Sequence, residues 1–201
     1  MNNLPEEKRN YMTPDELERF WAAVHRQLKA DKRKRDLCLF KLMYTYGLRL
    51  SEVTMIRLDD LDFTAHRIFI RRTKRRNFGC QYQLSVENQR LIKEWLKVRR
   101  GLPYADQLLQ LFISVRGRGL DDQTISWSCK KYARAAGLPK VHPHTFRHSC
   151  AIDLVKGKAP IQDIKDRLGH AQITSTELYI KMVGPDRVER DNRLDAILEK
   201  R

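Results

Sequence analysis

The densest group of chemically versatile side chains lies in the stretch HPHTFRHSC, and its members are His142, His144, Arg147 and His148. Histidines this close together can bind a metal ion. However, an arginine among them would repel a divalent cation, and Cys150 on the same helix points away from His144. A histidine and an arginine three residues apart share one helix face and suit an anionic phosphate better. If this stretch is considered without the rest of the chain, the alternative is one histidine that caps the helix among ordinary surface charges.

Two further places carry candidate residues. YGLRLSE puts Arg49 after a strongly apolar helix, which favours a guanidinium that projects into a cleft and is held by Glu52. A surface ion pair is the alternative. LGH puts His170 after a helix-ending glycine, and Tyr179 follows nine residues later. Tyrosine can act as a covalent nucleophile, but the residues alone leave Tyr179 equally open as a packing residue.

The stretch RRTKRRNF surrounds one lysine, Lys74, with four arginines: Arg71, Arg72, Arg75 and Arg76. Arginine keeps its proton in proteins, whereas lysine can donate one to a leaving group. Lys74 is therefore the local candidate for a general acid. The arginines are candidates for binding the phosphates of DNA. All five cations could equally serve only to bind phosphate.

The elements that must position these residues are mainly α-helical. Thr13 and Glu16 predict a capping box that begins the first helix, and Ser51 is expected to cap the third. HRIFIRRTKRRNFGCQYQLSV predicts two β runs around a basic turn, since Ile68 and Ile70 alternate with Phe69 and Arg71. LLQLFIS is expected to be a short strand. The fold class is thus mainly α with a small antiparallel β-sheet (α+β).

Composition points to a polyanionic partner. The 201 residues include 40 Lys and Arg against 25 Asp and Glu, a formal net charge of +15. Nucleic acid is the leading candidate, and a merely basic protein is the alternative. No apolar run is long enough to span a membrane, and the N-terminus lacks the apolar core of a signal peptide. The four cysteines form no CxxC pair, which predicts reduced thiols in a cytoplasmic protein and no structural zinc.

Taken in chain order, YGLRLSE, a lysine in a hairpin turn, HTFRH, LGH and Tyr179 resemble the tyrosine recombinases, also called phage-type integrases. Each motif alone is weak, but the ordered set is specific and extends roughly from Met12 to Lys181. The resemblance implies the catalytic-domain fold of that family in a DNA-associated prokaryotic protein. It also implies double-stranded DNA as substrate and no metal or other cofactor.

The resemblance implies a role for each matching residue. Tyr179 would attack the scissile phosphate and form a 3′-phosphotyrosyl link, and Lys74 would protonate the leaving 5′-oxygen. Arg49 and Arg147 would bind the non-bridging oxygens, and His170 would donate another hydrogen bond to them.

The remaining assignments concern the surroundings of these groups. His144 would assist proton transfer, to and from the tyrosine, and Glu52 would orient the site. His148 is expected to pack or brace rather than to react, and His142 to lie in the loop before its helix.

The expected organisation has three parts. Residues 1–11 form an N-terminal arm or linker, residues 12–183 the catalytic domain, and residues 184–201 a C-terminal helical tail. The tail is expected to dock into a neighbouring protomer of a tetramer assembled on paired DNA sites, with docking onto its own domain as the alternative. With its short segment before the first helix, the chain is similar to the fimbrial phase-switch invertases, which are a minimal form of recombinase. The alternative is that the chain is a catalytic fragment of a larger recombinase.

Two other functions stay open beside site-specific recombination. One is a non-catalytic DNA-binding module with the same basic cleft. The other is DNA relaxation of the type IB topoisomerase kind, which would need neither paired sites nor a tetramer.

Overall fold

The first helix begins where the capping signals predict it. Thr13 is extended, its hydroxyl accepts from the backbone N–H of Glu16, and the Glu16 carboxylate accepts from the N–H of Thr13 at 2.7 Å. Pro14 occupies the first helical position, where its missing N–H costs nothing. The predicted capping box is confirmed.

The computed structural model describes residues 9–73 and 79–183. Helices account for most of this part of the chain: α1 (Pro14–His25), α2 (Ala30–Thr45), α3 (Leu50–Thr54), α4 (Val86–Arg99), α5 (Asp122–Ala135), α6 (Pro143–Lys156), α7 (Ile161–Leu168) and α8 (Thr174–Val183). The strands are β1 (Leu61–Asp62), β2 (Arg67–Arg71) and β3 (Gly79–Gln83). The fold is mainly helical with one small sheet, which confirms the predicted class. In the ranges described, no helix is both long and apolar enough to cross a membrane.

The sheet is antiparallel in the order β1-β2-β3, with Ile68 opposite Tyr82 and Ile70 opposite Cys80. Both isoleucines are fully buried, so β2 turns one face to the core as its alternating pattern predicts. The predicted hairpin is confirmed in its two longer strands, and β1 is an addition that the sequence did not predict. The basic turn, residues 74–78, lies outside the described residues.

The predicted strand at LLQLFIS is wrong. This segment makes isolated bridges, Arg57 with Gln110 and Ile113 with Gly119, rather than a ladder. Its backbone instead bonds to separate partners: Leu111 N–H donates to Ile56 O, and Leu111 O accepts from the Trp95 indole at 2.8 Å. Only Leu111, Phe112 and Ile113 of this segment are buried, and with such scattered partners the segment is apolar like a strand but has no strand geometry.

The main core holds α6 in place through an aromatic cluster. Phe146 on α6 packs edge-on against Phe20 of α1 at 5.0 Å and stacks on Phe40 of α2 at 5.3 Å between ring centroids. All three rings are buried. Arg147 and His148 follow Phe146 directly, so anchoring that ring fixes the direction of both side chains at about 100° per residue around the helix.

A second apolar cluster packs α7 and α8 against α6. Its buried members are Tyr11, Cys150, Ala151, Ile152, Ile164, Leu168 and Tyr179. This cluster packs three helices against one another, and the candidate catalytic residues lie around it.

Candidate active site

Arg49 lies at the start of α3, two residues before the predicted cap Ser51. Its backbone is extended, and its N–H donates to a carboxylate oxygen of Glu52 at 2.9 Å. The Arg49 guanidinium donates to the other oxygen of Glu52 at 2.6 Å. One carboxylate therefore caps the helix and orients the arginine. The cap prediction was wrong because Glu52, and not a hydroxyl, satisfies the free N–H.

Glu52 is completely buried between two arginines. Its second ion pair is with Arg72, at 2.8 Å. Burial acts to raise the pKa of Glu52, but Arg72 and Arg49 outweigh it and the pKa is lowered. The carboxylate thus stays ionised and holds both guanidinium groups in fixed positions.

Arg72 does not lie where a phosphate-binding arginine would lie. Its side chain is fully enclosed and donates to Glu52, to the Tyr82 hydroxyl and to the backbone oxygens of Tyr46 and Arg167. The prediction that Arg72 binds DNA is therefore corrected. Its donors all face protein acceptors, and it links α3 and β2 to the end of α7.

Arg147 reaches the site from α6. Its Nη1 donates to the backbone oxygens of Gly47 and Leu168, each at 2.7 Å. Within residues 9–73 and 79–183, its buried Nη2 has no hydrogen-bond partner. Burial lowers the pKa of Arg147 to about 10, and nearby Arg49 adds to the effect. A buried cation with an unsatisfied donor is the arrangement that an incoming anion would complete.

Gly47 makes this reach possible. Its φ is +56°, and a Cβ there would come within 2.5 Å of a Leu168 methyl carbon. The ends of α2 and α7 therefore approach closely enough for one guanidinium to bind a carbonyl of each.

His170 follows the left-handed Gly169 that ends α7, as the sequence predicts. It is 8% exposed, and its Nδ1 lies 2.8 Å from the hydroxyl of fully buried Thr176. Its ring is stacked parallel to the ring of Tyr179, with 6.3 Å between centroids. The imidazole is thus fixed in orientation beside the candidate nucleophile.

Tyr179 lies on α8 and is 7% exposed. Burial raises the pKa of its phenol, whereas Arg147 and Arg49 act to lower it. Its hydroxyl oxygen lies 2.8 Å from Nδ1 of His148. The structure thus brings Arg49, Glu52, Arg147, His170 and Tyr179 together in one site.

The histidines of HPHTFRHSC lie in different environments. His142 is the N-cap residue of α6 and is exposed, as is His144 in the first turn. His148, predicted only to brace, is the histidine in contact with the tyrosine. His144 and His148 are four residues apart and share a helix face, so the spacing was a signal that could have identified His148.

The basic hairpin is described only in part. Lys74, Arg75 and Arg76 lie outside the described residues. Arg71, at the end of β2, pairs with Asp60 and lies over the Phe69 ring, and its side chain is 40% exposed. Among the residues that the structure describes, no group of three or more His, Cys, Asp and Glu side chains could hold a metal ion.

Comparison with known proteins gives one consistent result. The chain matches the Phage integrase family over residues 10–183. It is 32% identical over 179 residues to Type 1 fimbriae regulatory protein FimB of Escherichia coli (strain K12), covering 89% of this chain and 87% of FimB. It is 31% identical over 146 residues to Tyrosine recombinase XerC of Alcanivorax borkumensis, covering 72% of this chain and 47% of that protein.

Solved structures share the fold. The XerH site-specific recombinase, in a post-cleavage complex with palindromic difH substrate, matches with a TM-score of 0.76 and 23% identity over 94% of this chain and 53% of that one. The XerA recombinase matches with a TM-score of 0.74 and 21% identity over 98% of this chain and 66% of that one. The chain thus spans between 53% and 66% of these two solved chains.

The family match covers most of the chain, the relatives agree with it, and the ordered motifs meet in one site. The chain therefore belongs to the phage integrase family, the family of the tyrosine-type site-specific DNA recombinases.

Proposed function

We propose that this protein cleaves and rejoins double-stranded DNA at specific sites through a covalent link on Tyr179. The observation that supports this most is the unsatisfied Nη2 of buried Arg147 in the same site as the Tyr179 hydroxyl. An anion bound there would be held by fixed positive charge, next to a nucleophile. A phosphodiester of DNA is the anion that the +15 net charge favours.

Cleavage then requires little beyond positioning and charge. Arg147 and Arg49 bind the non-bridging oxygens, and His170 adds a hydrogen bond as negative charge builds up on them. Because Glu52 and two backbone carbonyls already fix these guanidinium groups, they need not reorganise during the reaction.

The bond changes balance without a cofactor. The Tyr179 oxygen forms a bond to phosphorus as the bond from phosphorus to the 5′-oxygen breaks, and Lys74 donates a proton to that oxygen. The phenol proton of Tyr179 leaves as the bond to phosphorus forms, and His144, in the exposed first turn of α6, assists its transfer from and back to the tyrosine. The 3′-phosphotyrosyl ester keeps the energy of the broken ester, so a 5′-hydroxyl can reverse the step and rejoin a strand.

The other parts of the chain support this reaction. We assign residues 12–183 to catalysis, residues 1–11 to an arm or linker, and residues 184–201 to a tail that links protomers in a tetramer on paired sites. Arg71, Arg75 and Arg76 bind backbone phosphates. The arm before Arg9, the tail and the latter two arginines lie outside the described residues.

We place the protein in the cytoplasm of a prokaryotic cell. In support, all four of its cysteines, Cys38, Cys80, Cys129 and Cys150, are free thiols, as expected in a reducing compartment.

Covalent capture tests the proposal. Fragmented genomic DNA of the source organism is incubated with the wild type and with Tyr179→Phe, and protein-bound fragments are isolated under denaturing conditions. A captured sequence is then rebuilt as a nicked duplex that traps the covalent complex. We expect an adduct with the wild type and none with Tyr179→Phe. No adduct with either protein would reject the enzymatic function and leave DNA binding alone, whereas an adduct that survives the substitution would reject Tyr179 as nucleophile.

The same proteins separate recombination from relaxation. A supercoiled plasmid that lacks the captured sequence should stay supercoiled with a site-specific enzyme. Relaxation of that plasmid would favour the topoisomerase type of activity instead.

A further inference from the structure

The hydroxyl of Tyr179 has a close neighbour on α6 that the family resemblance does not account for. Nδ1 of His148 lies 2.8 Å from the phenolic oxygen, a normal hydrogen-bond distance. We propose that His148 is a further catalytic residue, which takes the proton of Tyr179 during cleavage and returns it during rejoining. This inference rests on the proposed function, because it concerns the same reaction.

The geometry suits proton transfer at a defined atom. The rings of His148 and Tyr179 are tilted by 51° with centroids 5.7 Å apart, so an edge nitrogen faces the hydroxyl. To accept from the phenol, Nδ1 must carry its lone pair and the ring hydrogen must be on Nε2. His148 is half-buried on a helix that Phe146 anchors in the core, which holds this nitrogen in place.

Other groups near the hydroxyl are less suited to taking this proton directly. His144, one turn earlier on the same face of α6, is exposed and assists by passing the proton between His148 and solvent. Arg147 cannot accept a proton. His170 presents its ring face to the tyrosine ring, and its Nδ1 is engaged with Thr176. Burial raises the pKa of the Cys150 thiol to about 11, so it stays protonated.

The surroundings of His148 keep it neutral before DNA arrives. In the described part of the chain, the charged and titratable groups that act on it are His142, His144 and Arg147 on α6 and Tyr179 on α8. Burial, with His144, His142 and Arg147 adding to it, lowers the pKa of His148 to about 4. The imidazole therefore has its lone pair available at neutral pH.

Bound DNA would reverse part of this balance. A scissile phosphate brings one negative charge, and the transition state develops more on its oxygens. Negative charge nearby stabilises the imidazolium form and so raises the basicity of His148 when the proton must move. In the forward step the phenol proton passes to Nδ1 while the oxygen bonds to phosphorus. In the reverse step the tyrosine oxygen leaves phosphorus and takes that proton back.

The variant His148→Asn separates proton transfer from bracing. Asparagine places an amide group where Nδ1 stands, so its oxygen can still accept a hydrogen bond from Tyr179, but it is not a base at neutral pH. We expect unchanged DNA binding in a gel shift and single-turnover cleavage about 100-fold slower or more. The rate should also rise with pH in the variant, because deprotonation of the phenol must then come from solvent. His142→Asn, an exposed histidine at the start of the same helix, is the matched control and should cleave like the wild type.

Three results would overturn the proposal. The first is cleavage by His148→Asn at the wild-type rate, and the second is a slow variant whose rate keeps the wild-type dependence on pH. The third is rescue by a 5′-bridging phosphorothiolate, because sulfur leaves without protonation and rescue would mean that His148 serves the leaving group. In each case the wild type still forms its Tyr179 adduct, so failure of this inference is distinct from failure of the proposed function.

Discussion

The Arg72 guanidinium donates to a carboxylate oxygen of Glu52 at 2.8 Å, and both side chains are fully enclosed. The other oxygen of Glu52 holds Arg49. A structural arginine and the arginine that we propose binds the phosphate thus share one buried carboxylate, and the stability of the fold is coupled to the geometry of the site.

Replacing Arg72 with methionine should destabilise the protein strongly. Glu52 would lose one of its two cations inside the core, and the carbonyl of Tyr46 would lose a donor. Breaking a buried ion pair from one side costs about 3 to 5 kcal/mol, which urea denaturation would measure. Arg90→Ala is the control, since the Arg90–Glu94 pair is on the surface and should change little. Equal effects of the two substitutions would contradict the assignment of Arg72 as a structural residue.

The ion pairs of Glu52 should give stability that depends on pH. Its pKa in the folded protein is below the ordinary value of 4.5. Its contribution is therefore fully present above that ordinary value and is lost as the pH falls through the folded pKa. Denaturation of the wild type and of Glu52→Gln should differ most near neutral pH, and the difference should shrink in acid. If Glu52→Gln were instead more stable than the wild type near neutral pH, burial and not the arginines would dominate at Glu52.

Much of the fold follows from local signals in the sequence. The capping box at Thr13, the glycines after α5 and α7 and the alternation in β2 each predicted an element that the structure contains. These signals are short-range and depend on backbone preferences. LLQLFIS failed because its backbone bonds to separate segments, near Ile56, Trp95 and Gly119, and not to one partner strand.

The sequence predicted most of the residues that meet in the site, but not the contacts that each of them makes. Arg72 was placed with the DNA-binding arginines, yet it continues the alternation of Ile68 and Ile70 and so lies on the buried face of β2. The run of cations around it obscured that pattern. The contact of His148 with Tyr179 depends on how α8 packs against α6, a relationship between distant segments that spacing within one motif does not contain.

The hydroxyl of Thr176 should matter to catalysis through His170. It lies 2.8 Å from Nδ1 of His170 and is fully buried, and we propose that it thereby selects which ring nitrogen turns toward the phosphate. Thr176→Val keeps the shape and removes this bond, and cleavage should slow about 10-fold to 100-fold, as for the loss of one buried hydrogen bond of about 1 to 3 kcal/mol. Thr176→Ser keeps the hydroxyl and should cleave nearly as the wild type does. Equal loss in both variants would point to packing of the methyl group instead.

Lys74 should act on the leaving group and on nothing else. Its amine would protonate the 5′-oxygen, so Lys74→Ala should slow cleavage of a normal nicked duplex by about 100-fold or more. A 5′-bridging phosphorothiolate replaces that oxygen with sulfur, which leaves as a thiolate without a proton. Single-turnover cleavage of the sulfur substrate by Lys74→Ala should therefore approach the wild-type rate. Arg75→Ala, with another cation removed from the same turn, should weaken DNA binding and show no such preference for sulfur. If the phosphorothiolate does not rescue Lys74→Ala, Lys74 binds phosphate like its neighbours and the acid must be another group.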